Sequence, residues 1–83
     1  MADQKQLEEF VLNATSKVLK RDKNTLTMET RWVEDLKIKS LQVFMINMML
    51  ENEYKVKITM ARVADNKTLM DVVDMVKELL ANK

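Results

Sequence analysis

The sequence predicts an all-α fold: a bundle of three main helices and one short helix, with a long loop after the first. Three observations carry this expectation. Apolar residues recur at three- and four-residue spacing in three separate segments. Two of those segments open on a side chain suited to capping a helix, each followed three residues later by a reciprocal partner. The chain shows none of the apolar–polar alternation that a half-buried strand displays. With 83 residues it has the length of one small domain, and residues 1–83 read as such.

The first helix follows from Leu7, Phe10, Val11, Ala14 and Val18, which predict a helix over residues 4–20. Asp3 and Gln6 resemble a capping box at its start, and Lys17, Lys20 and Arg21 suit its negative end. From residue 21 to residue 39 the periodicity lapses. Asp22, Asn24, Thr25, Thr27 and Thr30 are turn and cap formers there, while Leu26, Met28, Trp32, Val33, Leu36 and Ile38 are scattered apolar anchors. A loop this long is uncommon unless it is functional or well packed, and Trp32 is expected to be its buried anchor.

Ser40 opens the second helix. Its apolar set, from Leu41 to Tyr54, is too wide for one buried stripe. Phe44, Ile46, Leu50 and the ring of Tyr54 are expected in the core, with Leu41, Met45 and Met48 sharing another face. Val56 and Ile58 follow in a short connection, and residues 60–64 form one helical turn or two capped by Thr59. Thr68 and Asp71 resemble a second capping box, after which Leu69, Val72, Val73, Val76, Leu79 and Leu80 continue a helical stripe.

Composition then removes whole classes of chemistry. The chain has no Cys, His, Gly or Pro. Disulfides, thiolate metal sites and cysteine nucleophiles are excluded. The commonest general base and metal ligand is missing, and with it any Ser-His-Asp triad. No glycine-rich phosphate loop and no standard EF-hand can form. Asp65, Asp71 and Asp74 have the wrong spacing for a calcium loop, so no metal site is expected. No catalytic residue is assigned, and a self-sufficient enzyme is not expected.

Charge narrows the partners. Fourteen Lys and Arg stand against thirteen Asp and Glu, for a formal net charge of +1. The charges are spread along the chain without a basic stripe, which fits a nucleic-acid-binding domain poorly. Lys55, Lys57, Arg62 and Lys67 form only a mild basic cluster, read as solvated surface, with contact to an anionic lipid or cofactor as the alternative. The most apolar stretch, residues 41–50, is interrupted by Gln42 and Asn47 and is too short to span a bilayer. The segment Ala2-Asp3-Gln4-Lys5-Gln6 is polar with no apolar run behind it, so a signal peptide is not expected and the chain reads as cytoplasmic. Monomer is the default expectation for so small a bundle.

The informative segment is Trp32-Val33-Glu34-Asp35-Leu36-Lys37-Ile38-Lys39-Ser40-Leu41. It brings a serine hydroxyl to a helix N-terminus straight after a long loop. That position supports two readings: an ordinary N-cap, or a site where backbone N–H groups and the helix dipole favour a covalently attached phosphate. The eight methionines also carry two readings. One is core filling; the other is that Met45, Met48, Met49, Met60, Met70 and Met75 let a small core adapt, with an exposed Met45 available for docking.

The order of elements resembles the acyl carrier protein family, together with Val33-Glu34-Asp35-Leu36, Ser40-Leu41, Leu50-Glu51-x-Glu53-Tyr54-x-Val56-x-Ile58 and the Thr68-Leu69 helix start. The likeness spans almost the whole chain. It implies that Ser40 is esterified with 4′-phosphopantetheine from coenzyme A, whose thiol carries acyl groups as thioesters. It implies a cavity between the helices for the acyl chain. It also implies a partner-docking surface of Leu41, Met45 and Met48 on the second helix, with Lys37, Lys39 and Glu51 around it. The partners implied are a phosphopantetheinyl transferase and acyl-transferring and condensing enzymes of fatty acid, specialised lipid or polyketide-type biosynthesis.

Several positions depart from the family pattern. Lys37 stands where glycine is usual, and Lys39 where an aspartate immediately precedes the serine. Gln42 and Met45 replace common acids, Asn52 interrupts the Glu51/Glu53 pair, and Asn66 takes a place that is often apolar. Electrostatic steering by a basic partner is therefore expected to be weak. Lys39 and the missing acidic face support an alternative: an unmodified carrier-like module that docks a partner through Leu41, Met45 and Met48.

Overall fold

The computed structural model describes residues 3–83; Met1 and Ala2 lie outside them, Ala2 being the first residue of the polar N-terminal peptide considered above. The chain forms α1 (Gln4–Leu19), α2 (Ser40–Tyr54), α3 (Met60–Val63) and α4 (Leu69–Ala81), with a single 3-10 turn at Lys23–Thr25 and no named strand among the described residues. The all-α expectation holds, and each helix begins within a residue of where the sequence placed it.

Local side chains explain those boundaries. Asp3 accepts a hydrogen bond from Gln6 N at 2.8 Å, satisfying one of the free N–H groups of α1. Thr59 caps α3 through Arg62 N at 3.1 Å. Thr68 caps α4 through Asp71 N at 3.1 Å, while Asp71 Oδ2 accepts from Thr68 N at 3.1 Å and Lys67 N at 2.9 Å. These two backbone donors, Lys67 first, hold the Asp71 carboxyl below the usual carboxylate range.

The ends of α1 and α2 show what a chain without glycine does. Lys20 and Lys55 occupy the left-handed conformation, each at φ 56°, and donate to Ser16 O and Glu51 O. Glycine is the usual residue at such a helix end.

Leu7, Val11 and Ala14 of α1, Ile46 and Leu50 of α2, Val63 of α3, and Leu69, Val72, Val73, Met75 and Val76 of α4 form one buried cluster. α1 packs against both α2 and α4. Thr15 lies inside this core, where its hydroxyl donates to Val11 O at 2.8 Å. Tyr54 is half-buried, its ring 5.4 Å from that of Phe10 in an edge-to-face arrangement. Burial first, then the neighbouring charges of Glu53 and Asp3, raise the Tyr54 pKa.

Residues 21–39 are ordered by attachment to the α3–α4 connection. Trp32 is buried, and its indole Nε1 donates to Asn66 O at 3.1 Å. Backbone bonds run from Trp32 N to Lys67 O, Leu69 N to Thr30 O and Met70 N to Met28 O, at 3.0–3.1 Å. Leu26 and Leu36 are buried beside Trp32, as the anchor reading requires.

Two expectations are corrected. Val33, grouped with the loop anchors, is 62% exposed. Phe44, assigned to the core, is 48% exposed. Val33 lies in the tight turn between Arg31 and Lys37, outside any helix; for Phe44 the reason lies in α2, which carries two apolar stripes at helical spacing. Residues 43, 46, 47 and 50 face inward, and residues 41, 44, 45 and 48 face outward. Phe44 belongs to the second stripe, because it is three residues from Leu41 and four from Met48.

Candidate functional site

Ser40 is exposed and is the first residue of α2; Lys39 occupies the N-cap position. The cap is closed without the serine: Gln42 Oε1 accepts from Lys39 N at 2.8 Å. Among the described residues no hydrogen bond engages Ser40 Oγ. The ordinary capping role therefore does not explain the hydroxyl, which is left free at the positive end of a 15-residue helix.

The loop ahead of it is shaped by a tight turn. Arg31 N donates to Asp35 Oδ2 at 2.9 Å, while Asp35 N and Leu36 N both donate to Arg31 O. Lys37 N then donates to Val33 O, and Ile38 N to Trp32 O at 3.0 Å. Lys37 has φ 52° and joins Lys20 and Lys55 as a left-handed lysine. This conformation reverses the backbone so that Ile38 returns toward the core and Ser40 starts the helix. A glycine would take it without steric cost, whereas Lys37 holds it against a Cβ clash.

Beside Ser40 lies a pocket of about 230 Å³, lined by Ile38, Ser40 and Val43 on one side, by Met60, Val63 and Ala64 on another, and by Trp32, Val33 and Asn66. Ser40 thus stands at the edge of a largely apolar recess between α2 and α3.

The other candidate residues are distributed as follows. Leu41, Met45 and Met48 are exposed on the outward stripe of α2, and Leu41 is 69% exposed. Phe44 joins them, a residue that the spacing 41, 44, 45, 48 would have revealed. Lys37 and Lys39 are exposed at the N-terminal end of α2. Glu51 does not join the apolar face: it is half-buried and its Oε2 accepts from Ile58 N at 2.7 Å, closing the connection after α2. Of the methionines, Met75 is buried, Met28, Met49 and Met70 are partly buried against the core, and Met45, Met48 and Met60 are exposed.

Comparison with known proteins agrees with this geometry. The family described as phosphopantetheine attachment site matches residues 9–76. The chain is also 32% identical over 78 residues to proteins named acyl carrier protein from Rickettsia canadensis (strain McKiel), Rickettsia rickettsii (strain Iowa) and Rickettsia typhi (strain ATCC VR-144 / Wilmington). Those alignments cover 94% of this chain and 91% of each relative. A free serine at a helix start, an apolar recess beside it and similarity along nearly the full length converge on one conclusion: the chain belongs to the acyl carrier protein family, a phosphopantetheine-dependent carrier and not an enzyme.

Proposed function

We propose that Ser40 is the residue that holds 4′-phosphopantetheine, and that the 83 residues act as one carrier domain presenting acyl groups to biosynthetic enzymes. The observation that carries this is the unengaged Ser40 Oγ at the first position of α2, at the edge of the 230 Å³ pocket. The residues fit the group. The helix start supplies N–H donors and positive potential for a phosphodiester, and exposed Lys37 and Lys39 add positive charge on the same side. When bound, the group supplies a thiol that holds acyl chains as thioesters. The protein's own contribution is to fix the attachment point, to shelter apolar chain between α2 and α3, and to dock partners.

The docking surface in this reading is the exposed stripe of Leu41, Phe44, Met45 and Met48, with Lys37 and Lys39 at its upper end. Large apolar side chains in a cluster mark an interaction surface. The partners are a phosphopantetheinyl transferase and acyl-transferring and condensing enzymes of fatty acid, specialised lipid or polyketide-type biosynthesis. The carrier works as a cytoplasmic monomer without nucleic acid or membrane insertion; no helix among the described residues is long and apolar enough to cross a membrane.

Incubation with coenzyme A and a broad-specificity phosphopantetheinyl transferase, followed by intact mass measurement, tests the attachment. One arm is expected on the wild type and none on Ser40→Ala. A wild type that stays unmodified with several transferases overturns the assignment and leaves the unmodified docking module in its place.

A further inference from the structure

The outward face of α2 has a rim of one sign. Leu41, Phe44, Met45 and Met48 form its exposed apolar stripe. Lys37 and Lys39 stand exposed at the head of that stripe. Lys55, also exposed, follows Met48 by seven residues, about two helical turns further along the same line. Among the described residues no ion pair engages any of these three lysines. The nearby acids are turned away or occupied. Glu51 accepts from Ile58 N at 2.7 Å. Glu53 lies about 130° round the helix from the midline of the stripe, at 3.6 residues per turn. Glu34 and Asp35, in the turn before Ser40, are both paired with Arg31.

Local stability does not account for this arrangement. α2 has no acid in its first turn, and Lys39 stands at its N-cap, against the positive end of the helix dipole. The Lys39 side chain makes no cap bond that would offset this. An apolar centre inside a charged rim is instead the anatomy of an interface.

We propose that this face docks a protein whose apolar groove is rimmed by Asp and Glu, and that the enzyme which modifies Ser40 is that protein. The inference rests on the carrier reading of Ser40 and deepens it by giving the partner's charge. Ser40 lies between Lys39 and Leu41, so an enzyme that acts on its hydroxyl covers the head of the stripe. Opposed charges steer the encounter and fix its register. A second copy of the chain fits badly. Antiparallel pairing of two α2 stripes sets Lys37 and Lys39 against Lys55, and parallel pairing sets each lysine against itself. An anionic bilayer fits no better, because polybasic lipid contacts take about 4–8 Lys and Arg, and this face has Lys37, Lys39 and Lys55 alone among the described residues.

The test is the rate at which the source organism's own phosphopantetheinyl transferase modifies the protein, read by intact mass at about 0.02 M and about 0.3 M KCl. Wild type is compared with the double variant Lys37→Glu/Lys39→Glu, its folding checked by thermal unfolding. Glutamates suit a helix start, so this variant is expected to fold. The wild-type kcat/KM should fall roughly tenfold with added salt, and the double variant should be roughly tenfold slower than wild type in low salt only. A variant as fast as wild type in low salt, or a wild-type rate indifferent to salt, overturns the inference. So does modification by a broad-specificity transferase alone. Sedimentation as a dimer that Phe44→Asp dissociates, or co-sedimentation with phosphatidylglycerol vesicles, gives the face to a second copy or to lipid and equally overturns it. In all these cases the mass addition at Ser40 stands, and the carrier reading with it. No addition by any transferase overturns both.

Discussion

Replacing Lys37 by glycine should stabilise the protein. Lys37 holds φ 52° in the turn that delivers Ser40 to α2. The left-handed conformation costs a residue with a Cβ about 1–2 kcal/mol. Glycine avoids that clash but loses more backbone freedom on folding, which offsets about 0.5–1 kcal/mol of the gain. The net expectation is roughly 0.5–1 kcal/mol of added stability, or about 2–8 °C in Tm for a domain of this size. The substitution sacrifices little else. Lys37 is exposed, no ion pair among the described residues involves it, and its N–H bond to Val33 O is retained by any residue but proline. The assay is thermal and urea unfolding of the unmodified protein followed by circular dichroism. Lys37→Ala is the control, because it removes the same side chain but keeps the Cβ; it should change stability by less than about 0.5 kcal/mol. An equal gain in both variants would trace the effect to the lysine side chain and refute the conformational argument. A glycine variant no more stable than wild type would refute it outright.

Other outcomes follow from the same geometry. Lys20→Gly and Lys55→Gly, at the left-handed ends of α1 and α2, should each raise the melting temperature in the same way. Trp32→Phe removes the indole bond to Asn66 O and should cost about 1–3 kcal/mol in urea unfolding; Trp32→Ala should cost about 3–5 kcal/mol. Because the Asp71 pKa is lowered in the folded state, its contribution is complete above the unfolded value near pH 4 and is lost as pH falls through the folded value. Asp71→Asn should therefore flatten the acid limb of stability below about pH 4, and an unaltered limb in urea titrations would contradict this. Phe44→Asp and Met45→Asp change exposed positions and should alter stability by less than about 0.5 kcal/mol. Each should lower kcat/KM for a partner enzyme acting on the loaded carrier by roughly 5–30-fold, the scale of a lost apolar anchor.

What could be read in advance was what acts over short stretches of chain. The Asp3, Thr59 and Thr68 caps each bond a backbone N–H three residues on, so residue type and spacing were enough to locate three helix starts. The α4 stripe of Leu69, Val72, Val73 and Val76 was legible because it is strongly one-sided. α2 was not, because it is apolar on two faces. The spacing separates residues 43, 46, 47 and 50 from residues 41, 44, 45 and 48 but does not say which set turns inward. Phe44 is expected in the core with Ile46 and Leu50, and the structure places it on the outward set instead. Trp32 was correctly buried, but its partner Asn66 is 34 residues away and no local pattern names it.

By itself, then, the sequence determined the helix starts, the all-α class, the exclusion of thiol and imidazole chemistry, and the placing of one serine at the head of a helix. The exclusion follows from composition alone, and the others depend on residues within a turn or two of one another. Only the tertiary structure decided that the Ser40 hydroxyl is unengaged, that Lys37 carries the conformation where glycine is usual, that Glu51 is tied to Ile58, and that Asn47 faces the interior with an orphaned oxygen. Those facts depend on what packs against what across the chain, and burial is a property of the assembled bundle rather than of any segment in it.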